Sequence, residues 1–302
     1  MNQAANVQRA KGPLVWLDMD QKAPDYAYDQ AVYAPNRDQV HLRNIFNSNR
    51  VRARLGEPKR IAYGPKPIEQ FDLFVANKPN APINVFVHGG AWRARQVKDY
   101  AFLAEMIVRA GGHWIGLDFD GVEGTKGDLL PMADQVRRAI AFVYSNAKNF
   151  GGDPNRIYIA GHSAGAAHVG TYAFQSHLHP ADGPGIAGCI LLSGTYAIDN
   201  KNPPPNRIAY YGEDLSLFPQ RQILNNITRA DFPVFISVAE LDPVPTVKLG
   251  YDLASQLIAV HKRQPYFKQV LGHNHYSEMN HLGTGDDSIG PDLIDFIDNW
   301  RH

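Results

Sequence analysis

The chain has 302 residues, 44% of them hydrophobic and 20% charged, so it can bury a substantial core as one soluble globular unit. Thirty basic side chains balance thirty acidic ones, which excludes a protein that draws in nucleic acid or a membrane surface through a net field. One cysteine excludes an internal disulfide.

The first nine residues, Met1 to Arg9, lack the apolar core of a signal segment. No later run approaches the ~20 apolar residues of a membrane span, so a cytoplasmic location is expected. Residues 1–60 do not alternate strand with helix. Leu17 to Asp29 reads as irregular or short helix. Gln39 to Leu55 places Val40, Leu42, Ile45 and Val51 at apolar positions with Arg43, Arg50, Arg52 and Arg54 between them, a helix with a solvated face. The arginines read as surface charges rather than a phosphate site. This extension is a candidate lid over a site formed elsewhere.

From about residue 60 strands and helices alternate. Ile61-Ala62-Tyr63 and Phe71 to Val75 are early strands. Asn77 to Pro82 is a turn, and Ile83 to Val87 is a strand too uniformly apolar to have a wet face. It ends in His88-Gly89-Gly90-Ala91-Trp92. A helix is expected over Lys98–Ala110, stopped by Gly111-Gly112, then a strand over His113–Phe119 and a long helix over Leu129–Asn149. Gly151-Gly152-Asp153-Pro154 turns the chain into the strand Arg156–Ala160. That strand meets Gly161-His162-Ser163-Ala164-Gly165 and a helix through Phe174. Ile186–Leu192 is another strand, and Cys189 within it reads as an inert core residue. Residues 195–230, with Pro203-Pro204-Pro205 and the aromatics Tyr196, Tyr210, Tyr211 and Phe218, form an insertion, either a second part of the lid or a packed surface loop. Val234–Val238 is a strand, Thr246–His261 a helix, Tyr266–Leu271 the last strand and Pro291–Trp300 a closing helix. The alternation implies a mostly parallel sheet flanked by helices on both faces, in a single domain of residues 1–302 with a core from residue 60. In such sheets the working residues lie just past the C-terminal ends of the strands.

Three groups stand at such places. Strand, sharp turn and helix around Ser163 would push a serine hydroxyl out at the sheet edge, with glycines on either side to relieve the bend. A serine needs a base within hydrogen-bond reach, and the base needs an acid to fix its tautomer. Asp242, past the strand Val234–Val238, is the favoured acid, with Glu240 two residues nearer the strand as its competitor. His275, in the loop after the last strand, is the favoured base, with His273 and His281 as competitors. These three histidines also admit a zinc reading, which no matching carboxylate or cysteine motif supports. The small residues Gly89-Gly90-Ala91 leave backbone N–H groups free to hold a developing oxyanion, with Gly90, Ala91 and Ala164 as the donors. Trp92 would wall a pocket for an apolar or aromatic group.

His88-Gly89-Gly90-Ala91-Trp92, Gly161-His162-Ser163-Ala164-Gly165, Val238-Ala239-Glu240-Leu241-Asp242-Pro243 and Asn274-His275-Tyr276 together resemble the α/β-hydrolase superfamily. The resemblance covers roughly residues 60–302 and is strongest to the hormone-sensitive-lipase-like esterases and the kynurenine formamidases (arylformamidases). The esterases usually carry three glycines after the histidine and an aspartate before the serine, and this chain has Ala91 and His162 there, closer to the formamidase form. The resemblance implies an α/β-hydrolase fold, Ser163, Asp242 and His275 as a catalytic triad, Gly90, Ala91 and Ala164 as oxyanion donors, and no metal or other cofactor. The expected activity is that of a serine carboxylesterase acting on a small ester through an acyl-enzyme, or alternatively cleavage of an aryl formamide. The remote alternative is a non-catalytic binding protein on the same fold. The expected partner is a small ester or amide substrate with an apolar or aromatic group, with neither nucleic acid nor membrane; a homodimer is left open.

Overall fold

The computed structural model describes residues 13–16, 19–20, 30–91, 96–125, 129–180, 183, 185–198, 203, 208 and 210–299. Two short strands, β1 (Leu14–Trp16) and β2 (Met19–Asp20), pair antiparallel where irregular chain was expected for Met19-Asp20. Eight strands form the central sheet: β3 (Lys59–Ala62), β4 (Gln70–Phe74), β5 (Ala81–Val87), β6 (His113–Leu117), β7 (Gly152–His162), β8 (Gly188–Leu192), β9 (Val234–Leu241) and β10 (Tyr266–Asn274). Their spatial order is β10-β9-β8-β7-β5-β6-β4-β3. β4 runs antiparallel to both β3 and β6, and all other neighbours are parallel. Parallel neighbours need crossovers, and the helices supply them.

Each central strand is buried on both faces because successive side chains feed two different cores. Ile83, Val85, Val87, Ile157, Ile159, Leu191 and Ile236 point to one face. There they meet Val136, Ile140 and Val143 of helix α3 (Leu129–Asn146), Val169 and Tyr172 of α4 (Ala164–Phe174) and Leu253 and Leu257 of α5 (Val244–Ala259). Phe86, Trp114, Tyr158, Ile190 and Phe235 point to the other. They meet Phe102, Ile107 of α2 (Ala104–Arg109), and Leu293, Phe296 and Ile297 of α7 (Gly290–Asn299). Cys189 is fully buried, and burial pushes its thiol well above the usual range.

The segment expected as a helix over Lys98–Ala110 begins as a 3-10 turn, Val97–Leu103, and becomes α-helical only at Ala104. The cause is helix α1 (Arg37–Leu55), which takes over its backbone groups. Lys98 O accepts from Arg52 Nη1 at 2.7 Å, Asp99 O from Ser48 Oγ at 2.9 Å, and Phe102 N–H donates to Ser48 Oγ at 3.1 Å. The buried stripe of α1 is accordingly Val40, Asn44, Ser48 and Val51. Leu42, grouped with the apolar positions from sequence, is 66% exposed. As a candidate lid, this helix is fastened to the body, with Arg54 paired to Glu105 and Asn44 Nδ2 donating to Asn280 Oδ1 at 2.7 Å. Most of residues 1–29 lie outside the described residues.

Within the 195–230 insertion, Tyr196, Tyr210, Tyr211 and Phe218 are all fully buried. The last three pack with Val122, Met132 and Ala133 against Ala164 and Ala167 of α4. The described part of the insertion therefore includes a small core of its own beside the start of α4. Residues 199–202, 204–207 and 209 fall outside the described residues.

Candidate active site

β7 lies at the middle of the sheet and ends at His162. Ser163 follows at φ 57°, ψ −121°, a conformation that costs a serine on the order of 1–3 kcal/mol unless its surroundings impose it. They do. The Ser163 N–H donates to Leu192 O at the end of β8 at 2.9 Å, and α4 begins at the next residue. A Cβ at Gly165 would stand 2.0 Å from Val87 O and 2.7 Å from His88 O, so only glycine lets the first turn of α4 lie against the end of β5. This bend leaves Ser163 partly exposed at the C-terminal edge of the sheet.

The same edge carries the ends of β9 and β10. Asp242 follows β9 and His275 follows β10. His275 Nε2 lies 2.8 Å from Ser163 Oγ, and His275 Nδ1 lies 2.7 Å from Asp242 Oδ1. Asp242 and His275 are 4% and 2% exposed. Burial by itself would raise the Asp242 carboxyl, but the positive form of His275 and hydrogen bonds from His275, Ser193 and the Ala239 N–H hold it below the usual carboxylate range.

The loop that carries His275 is tied on several sides. Asn274 Oδ1 accepts from the N–H groups of Tyr276 and Ser277 at 3.1 and 3.0 Å, which starts the short helix α6 (Ser277–Asn280). Asn274 Nδ2 donates to Asn36 Oδ1 just ahead of α1. His162, the residue before the serine, sits against His275 with ring centroids 4.8 Å apart and donates from Nε2 to the His275 carbonyl at 2.7 Å. Burial, and then the neighbouring His275, push the His162 imidazole down to about 3, so it is a neutral donor at ordinary pH. Sequence reading gave His162 only a family resemblance, because its partner is a backbone carbonyl 113 positions away.

The loop after β5 lies over the serine. A Cβ at Gly89 would meet His162 O at 2.8 Å and Ser163 Cβ at 3.1 Å, which explains the small residue there. Gly90 and Ala91 adopt φ 122° and 53°, so the chain turns sharply over the site. His88 braces the turn: its Nδ1 donates to Gly89 O at 2.8 Å, and its ring stacks between Phe119 and Tyr100 at 4.7 and 5.5 Å. Ala164 is the first residue of α4, where N–H groups lack intrahelical partners and the helix dipole is positive. Trp92, expected to wall a pocket, lies outside the described residues.

The competing residues are engaged elsewhere. Glu240 is exposed and its Oε2 accepts from the Gly272 N–H at 2.7 Å. His273 faces Ser277, Ser288 and Asp286, and His281 Nδ1 donates to Ser277 O at 3.0 Å. The ligand atoms of His273, His281 and Asp286 lie within 4.8 Å of one another. Asp286 is thus the carboxylate that the sequence reading of these histidines lacked, and its Oδ1 already accepts from the Ser288 N–H and hydroxyl.

Three further side chains stand behind Asp242 and were not singled out from sequence. Ser193, at the end of β8 with φ 44°, places Oγ 2.5 Å from Asp242 Oδ2 and against Glu278 Oε2. Glu278 Oε1 lies 2.5 Å from Ser237 Oγ on β9. Ser193, Ser237 and Glu278 are all fully buried. A lone serine after a strand and a glutamate in a short helix carry no pattern that periodicity or a motif could flag.

The BD-FAE family model matches residues 71–182, from β4 to just past α4. A kynurenine formamidase of Danio rerio is 27% identical over 185 residues, covering 60% of this chain and 59% of that one. The esterase LipC of Mycobacterium tuberculosis is 25% identical over 242 residues, covering 72% of this chain and 59% of its own. The alignment thus spans under two thirds of either relative. A solved arylesterase structure superposes with a TM-score of 0.67 at 19% identity, covering 93% of this chain and 100% of that one. The chain has the α/β-hydrolase fold, and the relatives it is similar to are esterases and kynurenine formamidases. In this fold the ends of β5, β7, β8, β9 and β10 meet at one edge, and β4 is the strand that reverses direction. Among the described residues no helix is long and apolar enough to cross a membrane.

Proposed function

We propose that the protein is a serine hydrolase that cleaves a small carboxylic ester through an acyl-enzyme. The observation that carries this reading is the continuous contact from Ser163 Oγ through His275 to Asp242, at 2.8 and 2.7 Å. Ser163 Oγ attacks the ester carbonyl while His275 Nε2 takes its proton. The imidazolium so formed is stabilised by the Asp242 carboxylate, which keeps its charge because Ser193 and the Ala239 N–H also donate to it. The negative oxygen of the tetrahedral intermediate is held by the backbone N–H groups of Gly90, Ala91 and Ala164. Each such donor is worth about 100–1000-fold in rate. His275 returns the proton to the leaving alcohol, and a water activated by the same nitrogen releases the acid.

Cleavage of an aryl formamide by the same groups is the second reading, favoured by His162 ahead of the serine and by the formamidase relative. Esterase likenesses favour the first. Steady-state rates on p-nitrophenyl acetate, p-nitrophenyl butyrate and N-formylkynurenine separate the two. The ester reading expects the higher kcat/KM on an ester; a much higher value on the formamide replaces it with the second reading. No turnover of any of the three, with the serine unreactive to a fluorophosphonate, would leave a binding protein.

A further inference from the structure

Behind the proposed triad, Asp242 Oδ2, Ser193 Oγ, Glu278 Oε2, Glu278 Oε1 and Ser237 Oγ form one buried chain of oxygen contacts. It has three links: Asp242 to Ser193 at 2.5 Å, Ser193 to Glu278, and Glu278 to Ser237 at 2.5 Å. Each link needs one proton between its oxygens. The two serine hydroxyls supply two protons. The third must sit on a carboxyl. Asp242 already accepts from His275 Nδ1 and the Ala239 N–H, which leaves it no place for the proton if it is to oppose an imidazolium. We propose that Glu278 is a protonated positioning residue: its acid O–H donates to Ser193 Oγ, turns the Ser193 hydroxyl onto Asp242, and so fixes the carboxylate that orients His275. This deepens the serine hydrolase reading and rests on it.

The surroundings of Glu278 fit a neutral acid. It is fully buried on α6, and among the described residues no lysine or arginine pairs with it. The titratable groups that act on it are Asp242 beyond β9 and Tyr196 after β8, and the same loop also carries His273, His275 and His281. Burial, and next the Asp242 charge, push its carboxyl up to about 8. An ionised Glu278 would set a second buried negative charge against Asp242 and turn the Ser193 hydroxyl away from it.

Three substitutions separate a neutral donor from a charge and from mere filling. Glutamine keeps a neutral donor and an acceptor at the same reach, aspartate keeps the acid but falls a methylene short, and alanine removes both. Glu278→Ala and Glu278→Asp are expected to lower kcat on p-nitrophenyl acetate by about 10-fold or more, with KM little changed, and Glu278→Gln to restore most of that loss. Glu278→Asp active with Glu278→Gln as impaired as Glu278→Ala would overturn the proposal, since the charge would then be what matters. Two readouts do not depend on turnover. Infrared difference spectra at neutral pH should show the carbonyl stretch of a protonated carboxylic acid that Glu278→Gln lacks; its absence from the wild type contradicts the proposal even where Glu278→Ala fails to fold. The thermal midpoint of the wild type should fall relative to Glu278→Gln as pH rises from about 4.5 to about 8, because a carboxyl raised in the folded state binds its proton there while the unfolded chain releases it. Parallel curves would contradict it. Fluorophosphonate labelling of Ser163 reports separately on the hydrolase reading, so failure of the one is distinct from failure of the other.

Discussion

His162→Phe probes how the base is held. The substitution keeps an aromatic ring beside His275, where the two rings lie 4.8 Å apart, and removes the N–H that reaches the His275 carbonyl at 2.7 Å. Phenylalanine is larger than histidine by roughly a methylene, so the urea midpoint of His162→Phe also carries an overpacking cost. The loss is the hydrogen bond, which leaves a buried carbonyl unpaired at a cost of about 1–3 kcal/mol. The His275 loop is also held by Asn274, Asn36 and Ser277 and should not come loose altogether. The base would sit less well on Ser163 Oγ, so the cost should appear in kcat more than in KM, as a fall of about 5–100-fold on the conversion of 1.4 kcal/mol per factor of ten. Steady-state kinetics with p-nitrophenyl acetate and urea unfolding measure the two quantities side by side. His162→Gln, which keeps a neutral N–H donor, should recover part of both losses. Wild-type kcat together with a wild-type urea midpoint in His162→Phe would refute the reasoning, because the bond would then neither place the base nor stabilise the loop.

His168 on α4 is fully enclosed, and burial, followed by the neighbouring His88 imidazole, lowers it to about 3. An unfolded histidine titrates near 6.5. Between those values the unfolded chain binds a proton that the folded one refuses, so stability falls as pH drops through that window. Urea midpoints at about pH 7 and about pH 4 should differ less in His168→Gln than in the wild type, and an equal difference would contradict the assignment. Arg60 forks between Asp72 and Asp118, both largely buried on β4 and beyond β6. Arg60→Ala should cost about 2–4 kcal/mol in urea unfolding by leaving two buried carboxylates uncompensated. Arg60→Lys should recover only part of this, since an ammonium cannot bind both in the same way. Asp242→Asn should lower kcat by about 10⁴-fold, the loss found when the orienting acid of such a triad is replaced, whereas Glu240→Gln should stay within about two-fold. The opposite ranking would move the acid to Glu240.

Much of the architecture was legible because strands buried on both faces read as apolar runs, and Ile83–Val87, Ile157–Ala160 and Val234–Val238 do so plainly. Helix types were harder. The 3-10 start at Val97 follows from Ser48 and Arg52 capturing backbone groups 46–54 positions away, and no local pattern in Lys98–Ala110 reveals that. Leu42 looked apolar, yet α1 docks through Asn44 and Ser48 as well as Val40 and Val51, because part of what it meets is peptide backbone and Asn280. At the site, Ser163, Asp242 and His275 each follow a strand and sit where chain order and turn chemistry suggest. The groups that hold them in place were illegible. His162, Ser193 and Glu278 act through partners 41–113 residues distant, and their residue types are commonplace.

Intact-mass spectrometry after reaction with a fluorophosphonate tests the central claim most directly. The account predicts one adduct per chain, located by peptide mapping on Ser163, absent from Ser163→Ala and formed far more slowly in His275→Ala. An adduct on another residue, or labelling of Ser163→Ala at the wild-type rate, would contradict it.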